Sequence, residues 1–264
     1  MSRLSLVGLV EHGDLDGVNT FLETQPVRND DVSWVMMQCI KHKQLKILDV
    51  LLEHTRIHLK PDLDFWRGPL TWSGAPGEST DLFKHVLTYA PSHYKALSSA
   101  LTNLMEQEKN GADEHVMEKF ELWCDKADVG TLQEALSNVV VWNLPRFVRH
   151  LYTKWLAVAP EQKISSELFK NLTHCFSWGE LQQGAHIRHP KIYDFLLTQV
   201  SPSVAQQFLE KIAHDKSADH FQYMPGTPEI YAILETVMEG VVQRELLIQS
   251  VDDGATKTSA ARKL

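Results

Sequence analysis

Histidine is the first candidate for chemistry in this 264-residue chain, which carries 13 of them. His186-Ile187-Arg188-His189 sets two imidazoles three residues apart, with His174 and Cys175 upstream. Zinc takes such ligands only when a fixed set converges in near-tetrahedral geometry. Neither HExxH nor a CxxC pair occurs, and the loop around the two histidines is rich in Gly and Gln. These histidines read as solvated loop side chains, so neither a metal nor another cofactor is expected. Phosphate chemistry has no cradle either, because GxxxxGK[ST] and GxGxxG are both missing. Gly-x-Ser-x-Gly is missing too, and Ser73 sits in a Gly- and Pro-rich loop that no strand precedes. Cys39, Cys124 and Cys175 are far apart, odd in number and set in apolar helical context. They read as small buried side chains of a protein from a reducing cytosol.

Aromatic side chains near loops offer a different kind of chemistry, that of recognition. Phe65, Trp66 and Trp72 flank Gly68-Pro69; Phe176 and Trp178 precede a long loop; Phe221, Tyr223 and Met224 lie in another. Binding hot spots favour large aromatics. The candidate partner-binding set is therefore Trp66, Trp72, Trp178, His186, His189, Tyr223 and Met224. The competing reading is that the aromatics close the core between neighbouring units. Trp34, Trp123, Trp142 and Trp155 stand at helical spacing and are expected in the core.

The elements that position these residues are helical. Apolar residues recur at steps of three and four, and no long strict alternation marks a sheet. Pro26, Pro61, Pro91, Pro160 and Pro202 each follow an apolar helix, where proline stops the pattern. A motif L-x-x-Φ-x-x-L-L, with Φ apolar, recurs about seven times at roughly 35 residues per unit, the size of a helix-pair repeat. Its copies align Leu15, Val18, Phe21 and Leu22 with Leu45, Leu48, Leu51 and Leu52, then with Thr80, Phe83, Val86 and Leu87. Further copies start at Met117, Leu144, Pro190 and Pro228. The first helices of the units are expected at Ser5–Glu11, Val32–His42, near Phe65–Trp72, Tyr94–Lys109, Leu132–Val141, Glu167–Phe176 and Val204–His214. Thr131 with Glu134, and Ser203 with Gln206, fit capping boxes. Pro145, Pro190 and Pro228 fit the first position of second helices, where a missing N–H costs nothing. One such unit cannot bury its own apolar face, so stacked neighbours must make the core. The expected fold is all-α, a solenoid of about seven stacked helix-turn-helix repeats. It would run as one continuous domain over residues 1–251, with a flexible tail over 252–264.

The stretch Glu11-His12-Gly13-Asp14-Leu15-Asp16-Gly17-Val18-Asn19-Thr20-Phe21-Leu22-Glu23 resembles the second-helix part of an ankyrin repeat, as does Lys41 to His54 and, more weakly, His189 to Gln199. The Thr-Pro-Leu-His that opens the family's first helix does not occur, and Thr227-Pro228 opens a second helix instead. A HEAT-like array is the alternative stacking. Either resemblance implies a surface that binds another protein, as in an adaptor, an inhibitor or a delivered effector. A second resemblance is narrower. His214-Asp215, with Asp219, His220 and Asp252, resembles the His-Asp pair of all-helical metal phosphohydrolases. It implies one version of the alternative function, a helical-repeat enzyme acting on phosphoesters; the other version is a HEAT-like glycosylase acting on nucleic acid, with a concave basic track and a carboxylate beside aromatics.

Charge weighs against nucleic acid, since a net −8 does not attract phosphate in bulk. Arg3 with Leu4 to Val10 makes a poor signal peptide, because Ser5 and Gly8 interrupt the run and Glu11 follows at once. No run approaches the roughly 20 apolar residues of a membrane span. The terminal Arg262-Lys263-Leu264 does not match the Ser-Lys-Leu address. A cytoplasmic, protein-binding chain is the expectation.

Overall fold

The structure, a computed structural model, describes residues 3–160 apart from 112 and 143, together with Ile192, Phe195, Leu196 and Gln199. The helical expectation is met, with no strand among the described residues. The helices are α1 (Arg3–Glu11), α2 (Leu15–Thr24), α3 (Asn29–Lys41), α4 (Leu45–His58), α5 (Arg67–Ser73), α6 (Thr80–Tyr89), α7 (Tyr94–Asn110), α8 (Val116–Lys126), α9 (Val129–Val141) and α10 (Pro145–Val158). A 3-10 turn over Asp64–Trp66 leads into α5. The chain divides into two compact units, Met1–Val158 and Ala159–Leu264. The division falls at Val158-Ala159-Pro160, where a helix stop is expected. In the second unit, Ala159, Ile192 and Leu196 are buried.

Local signals explain most boundaries. Asp14 caps α2 by accepting from the Gly17 N–H at 2.9 Å, and Ser79 caps α6 by accepting from the Leu82 N–H at 3.1 Å. Gly111, left-handed at φ 60°, closes the long helix α7. The turn after α1 and the turn after α3 are built alike. The N–H of Asp14 donates to the Leu9 carbonyl, and that of Gln44 to the Cys39 carbonyl. Gly13 at φ 67° and Lys43 at φ 57° hold the left-handed position of the two turns. Glycine takes that conformation freely, whereas lysine pays steric strain for it.

Two departures from the sequence reading have physical causes. Helix α9 starts three residues before the expected Leu132, because Asp128 and not Thr131 is its cap. The Asp128 carboxylate accepts from the Thr131 N–H at 2.7 Å, while the Thr131 hydroxyl donates to the Ser92 carbonyl at 2.9 Å. The expected helix near Phe65–Trp72 is split into the 3-10 turn and α5. Pro69 has no N–H for the Phe65 carbonyl, and the Ser33 hydroxyl donates to it instead at 2.7 Å.

Packing in the first unit follows chain order in two series. Helices α1, α3, α5 and α7 each pack on the next odd-numbered helix, and α2, α4, α6 and α8 each pack on the next even-numbered one. Each odd helix also packs on the even helix that follows it. An inner odd helix is thus flanked on two sides and backed on a third, which leaves one open side. Most of the expected second-helix positions are buried, among them Val18, Leu48, Leu51, Leu52, Phe83, Val86, Phe120, Phe147 and Leu151. Leu15, Phe21 and Leu22, on the first of these helices, are only half-buried, and Leu45 at the start of α4 is 47% exposed.

Candidate functional site

Two tryptophans of the odd helices are exposed, Trp34 on α3 at 39% and Trp72 on α5 at 43%. Trp34 is a correction, since its helical spacing predicts a core position. The core stripe of α3 is Val32, Val35, Met36, Cys39 and Ile40. At 100° per residue, position 34 points almost opposite the centre of that stripe. Trp72 is a candidate partner-binding residue that does reach solvent. Trp66, expected beside it as a second anchor, is buried at 3% and packs edge-on against Phe65, with ring centroids 5.1 Å apart. Trp178, His186, His189, Tyr223 and Met224 lie outside the described residues, as do Cys175, His214 and Asp215.

Helix α5 has seven residues and cannot hold itself together, so its neighbours must fix Trp72. Helix α7 does so with a ladder of side chains one turn apart. Ser99 donates to the Arg67 carbonyl at 3.2 Å, Asn103 to that of Thr71 at 2.8 Å and Gln107 to that of Gly74 at 2.7 Å. The last two bonds satisfy carbonyls that the helix end leaves free. The Lys119 ammonium continues the ladder to the Ala75 carbonyl at 3.1 Å and pairs with Asp113 at 2.6 Å. Both side chains of the pair are buried, at 0% and 5% exposure. Burial alone would raise the Asp113 carboxyl, but the bonds from Lys119 and from the His115 N–H outweigh it and hold the group below its ordinary range. On α3 the same platform is tight, because a Cβ at Gly68 would come within 2.5 Å of the Met37 sulfur. Further along the odd helices, the Lys109 ammonium lies 5.9 Å from the centre of the Trp142 ring. Trp142 is half-buried, whereas Trp123 and Trp155 are in the core as expected.

A second feature lies between α2 and α4. It is a groove of about 680 Å³ lined by Asn19, Leu22 and Glu23 from α2 and by Asp49, Val50, Glu53, His54, Ile57 and His58 from α4. His54 and His58 face each other with ring centroids 4.8 Å apart. Burial, and next the neighbouring His58, lower the His54 pKa from its ordinary value. Asp49 is held by His85 of α6 at 2.7 Å. The sequence reading passes over this groove. The signal for it is a second apolar pair on α4, Val50 and Ile57, two turns apart and off the core stripe.

The two cysteines among the described residues, Cys39 and Cys124, are buried. Burial pushes the Cys39 thiol up to about 12 and the Cys124 thiol up further, so neither supplies a thiolate near neutral pH. Among the described residues no group of three or more His, Cys, Asp or Glu is arranged to hold a metal ion. Nor is any described helix long and apolar enough to cross a membrane. Compared with known proteins, the chain matches no family model, no curated sequence and no solved structure.

Proposed function

We propose that this chain is a helical-repeat module that acts by binding another protein rather than by catalysis. The odd and even helices, each series packed in chain order, support a stacked helix-pair reading of the first unit. Side-chain links between successive units support it with their spacing: Ser33 to Phe65 spans 32 residues, His85 to Asp49 spans 36, and Lys126 to Thr88 spans 38. Those spacings suit a repeat of ankyrin or HEAT size. Two buried free thiols, Cys39 and Cys124, fit a reducing compartment such as the cytoplasm.

The observation that carries the binding reading is the pair Trp34 and Trp72. Leaving 39% of Trp34 and 43% of Trp72 in water gives up burial that folding would otherwise gain, and aromatic anchors of this kind dominate protein interfaces. Ser33 stands level with Phe65, and Met37 with Gly68, so α3 and α5 run parallel. Trp72 therefore lies roughly 10 Å further along the helix direction than Trp34, at 1.5 Å per residue. A partner laid across these helices reaches both.

Affinity capture from the native cell, with mass spectrometry, tests this. The wild-type chain is expected to retain a stoichiometric protein partner. Trp34→Ala and Trp72→Ala should each weaken that capture by about 2 kcal/mol, the scale of an interface hot spot. Their helical circular dichroism should stay intact, since both side chains are exposed. If both variants fold and bind as wild type, the aromatic face is not the site.

A further inference from the structure

The groove between α2 and α4 is built differently from the aromatic face, and its chemistry names an occupant. Helix α4 buries Ile47, Leu48, Leu51, Leu52 and Thr55. Its second stripe, Val50, His54, Ile57 and His58, recurs at steps of three and four and lines the groove. Ile57 is 57% exposed, and half-buried Leu22 faces the stripe from α2. Leu22, Val50 and Ile57 thus give the groove an apolar strip among polar neighbours. The lining on α4 runs from Asp49 to His58, roughly 14 Å at 1.5 Å per residue, which accommodates about two and a half turns of another helix. Carboxylates border the strip on both sides, Glu23 on α2 and, on α4, Glu53 and Asp49, the last already held through one oxygen by His85. Arg56 pairs with Glu53, but both side chains are exposed, at 62% and 43%, and such pairs exchange readily with an incoming cation.

We infer that this groove binds a basic amphipathic helix of a partner protein. The apolar side of that helix would rest on Leu22, Val50 and Ile57, and its Lys or Arg side chains would meet Glu23, Asp49 and Glu53. Helix-in-groove recognition uses this pattern of apolar anchors and flanking charge. The inference rests on the reading of the chain as a binding module, but it uses none of the residues of the aromatic face. A second copy of this surface is a poor occupant, because like carboxylates would be brought together.

The test uses the full chain and a fluorescent helical peptide of about 18 residues, five turns, with leucines on one face and lysines on the other. Fluorescence anisotropy reads its binding beside that of the same peptide with glutamates for lysines. The lysine peptide is expected to bind and the glutamate peptide to fail. Glu23→Lys and Ile57→Ser should each weaken binding about tenfold or more, whereas Asp81→Lys, an equal charge change on α6, should leave it within about twofold. Equal loss in Asp81→Lys, no loss in Ile57→Ser, or no binding by the lysine peptide each overturns the inference. So does a concentration-dependent dimer, seen by sedimentation, that Ile57→Ser abolishes. Trp72→Ala in the same assay separates the two surfaces. If the native partner is captured normally by Trp34→Ala and Trp72→Ala while the peptide still requires Glu23 and Ile57, the aromatic face fails and the groove stands. If capture depends on Trp72 and no peptide binds, the groove alone fails.

Discussion

Lys119 shows how much one side chain can hold. It is an ordinary charged position on α8 by composition, yet its side chain is fully buried, paired with Asp113 and bonded to the Ala75 carbonyl just past the end of α5. A lone buried charge is costly, so removing one member of such a pair costs more than the pair itself contributes. Lys119→Met should therefore destabilise the protein by about 3–5 kcal/mol in urea unfolding. Adding Asp113→Asn to that variant should recover most of the loss, because no charge is then left unpaired. A loss of less than about 1 kcal/mol in the single variant would show that water reaches Asp113 and that the pair does not hold the α5 end. Residue type did not reveal this role. The spacing of Lys119, three residues after Val116 and four before Trp123, sets it on the buried face of α8, but only the end of α5 shows what its charge meets there.

At the scale of the elements, caps and turn residues decide where helices begin. Thr131 and Glu134 have the spacing of a capping box, but Asp128 takes the position, and Thr131 is drawn off to the loop before α7. Asp128→Ala should cost about 1 kcal/mol, the usual worth of an N-cap. Glu134→Ala should stay within about 0.5 kcal/mol, as for an exposed side chain without a capping bond. Denaturant titration of the two variants checks both, and the reverse order would restore the capping box. Helix α5 makes the complementary point. Its Pro69 and its short length argue against a helix, and it forms because Ser33, Asn103 and Gln107 supply the bonds that its own backbone cannot.

Across the whole first unit, stability resides in contacts between neighbours. Leu51 on α4 and Leu151 on α10 are both fully buried. Leu51→Ala and Leu151→Ala should each cost about 2–5 kcal/mol, the transfer term plus the cavity left behind. In an array of units, such a loss weakens the contacts to adjacent units as well as the unit itself. The check is a denaturant series with tryptophan fluorescence and circular dichroism followed together. Coincident transitions, shifted by that amount, are expected; a shift under about 1 kcal/mol would mean that the stripe repacks and that the leucines are not the seam.

Helix content, most helix ends and the buried stripes of the second helices were legible from local pattern. Steps of three and four place Leu48, Leu51 and Leu52 on one face whatever lies opposite, and proline ends a helix through its own ring and missing N–H. The candidate site was legible only in part. Trp72 near Gly and Pro was found, but Trp66, six residues earlier, has the same composition and lies in the core. Trp34 shows the reverse, with helical spacing and an exposed ring. Periodicity tells which residues share a face, but not which faces a neighbouring helix covers. That is settled when α3 is flanked by α1 and α5 and backed by α4, and when α2 and α4 meet along a line that leaves Val50 and Ile57 outside. Burial of Lys119 belongs to the same class, because its partners come from a helix end 44 residues away and a loop six residues away. Local sequence sets each helix and its stripe; long-range packing decides which stripes become core and which remain as surface for a partner.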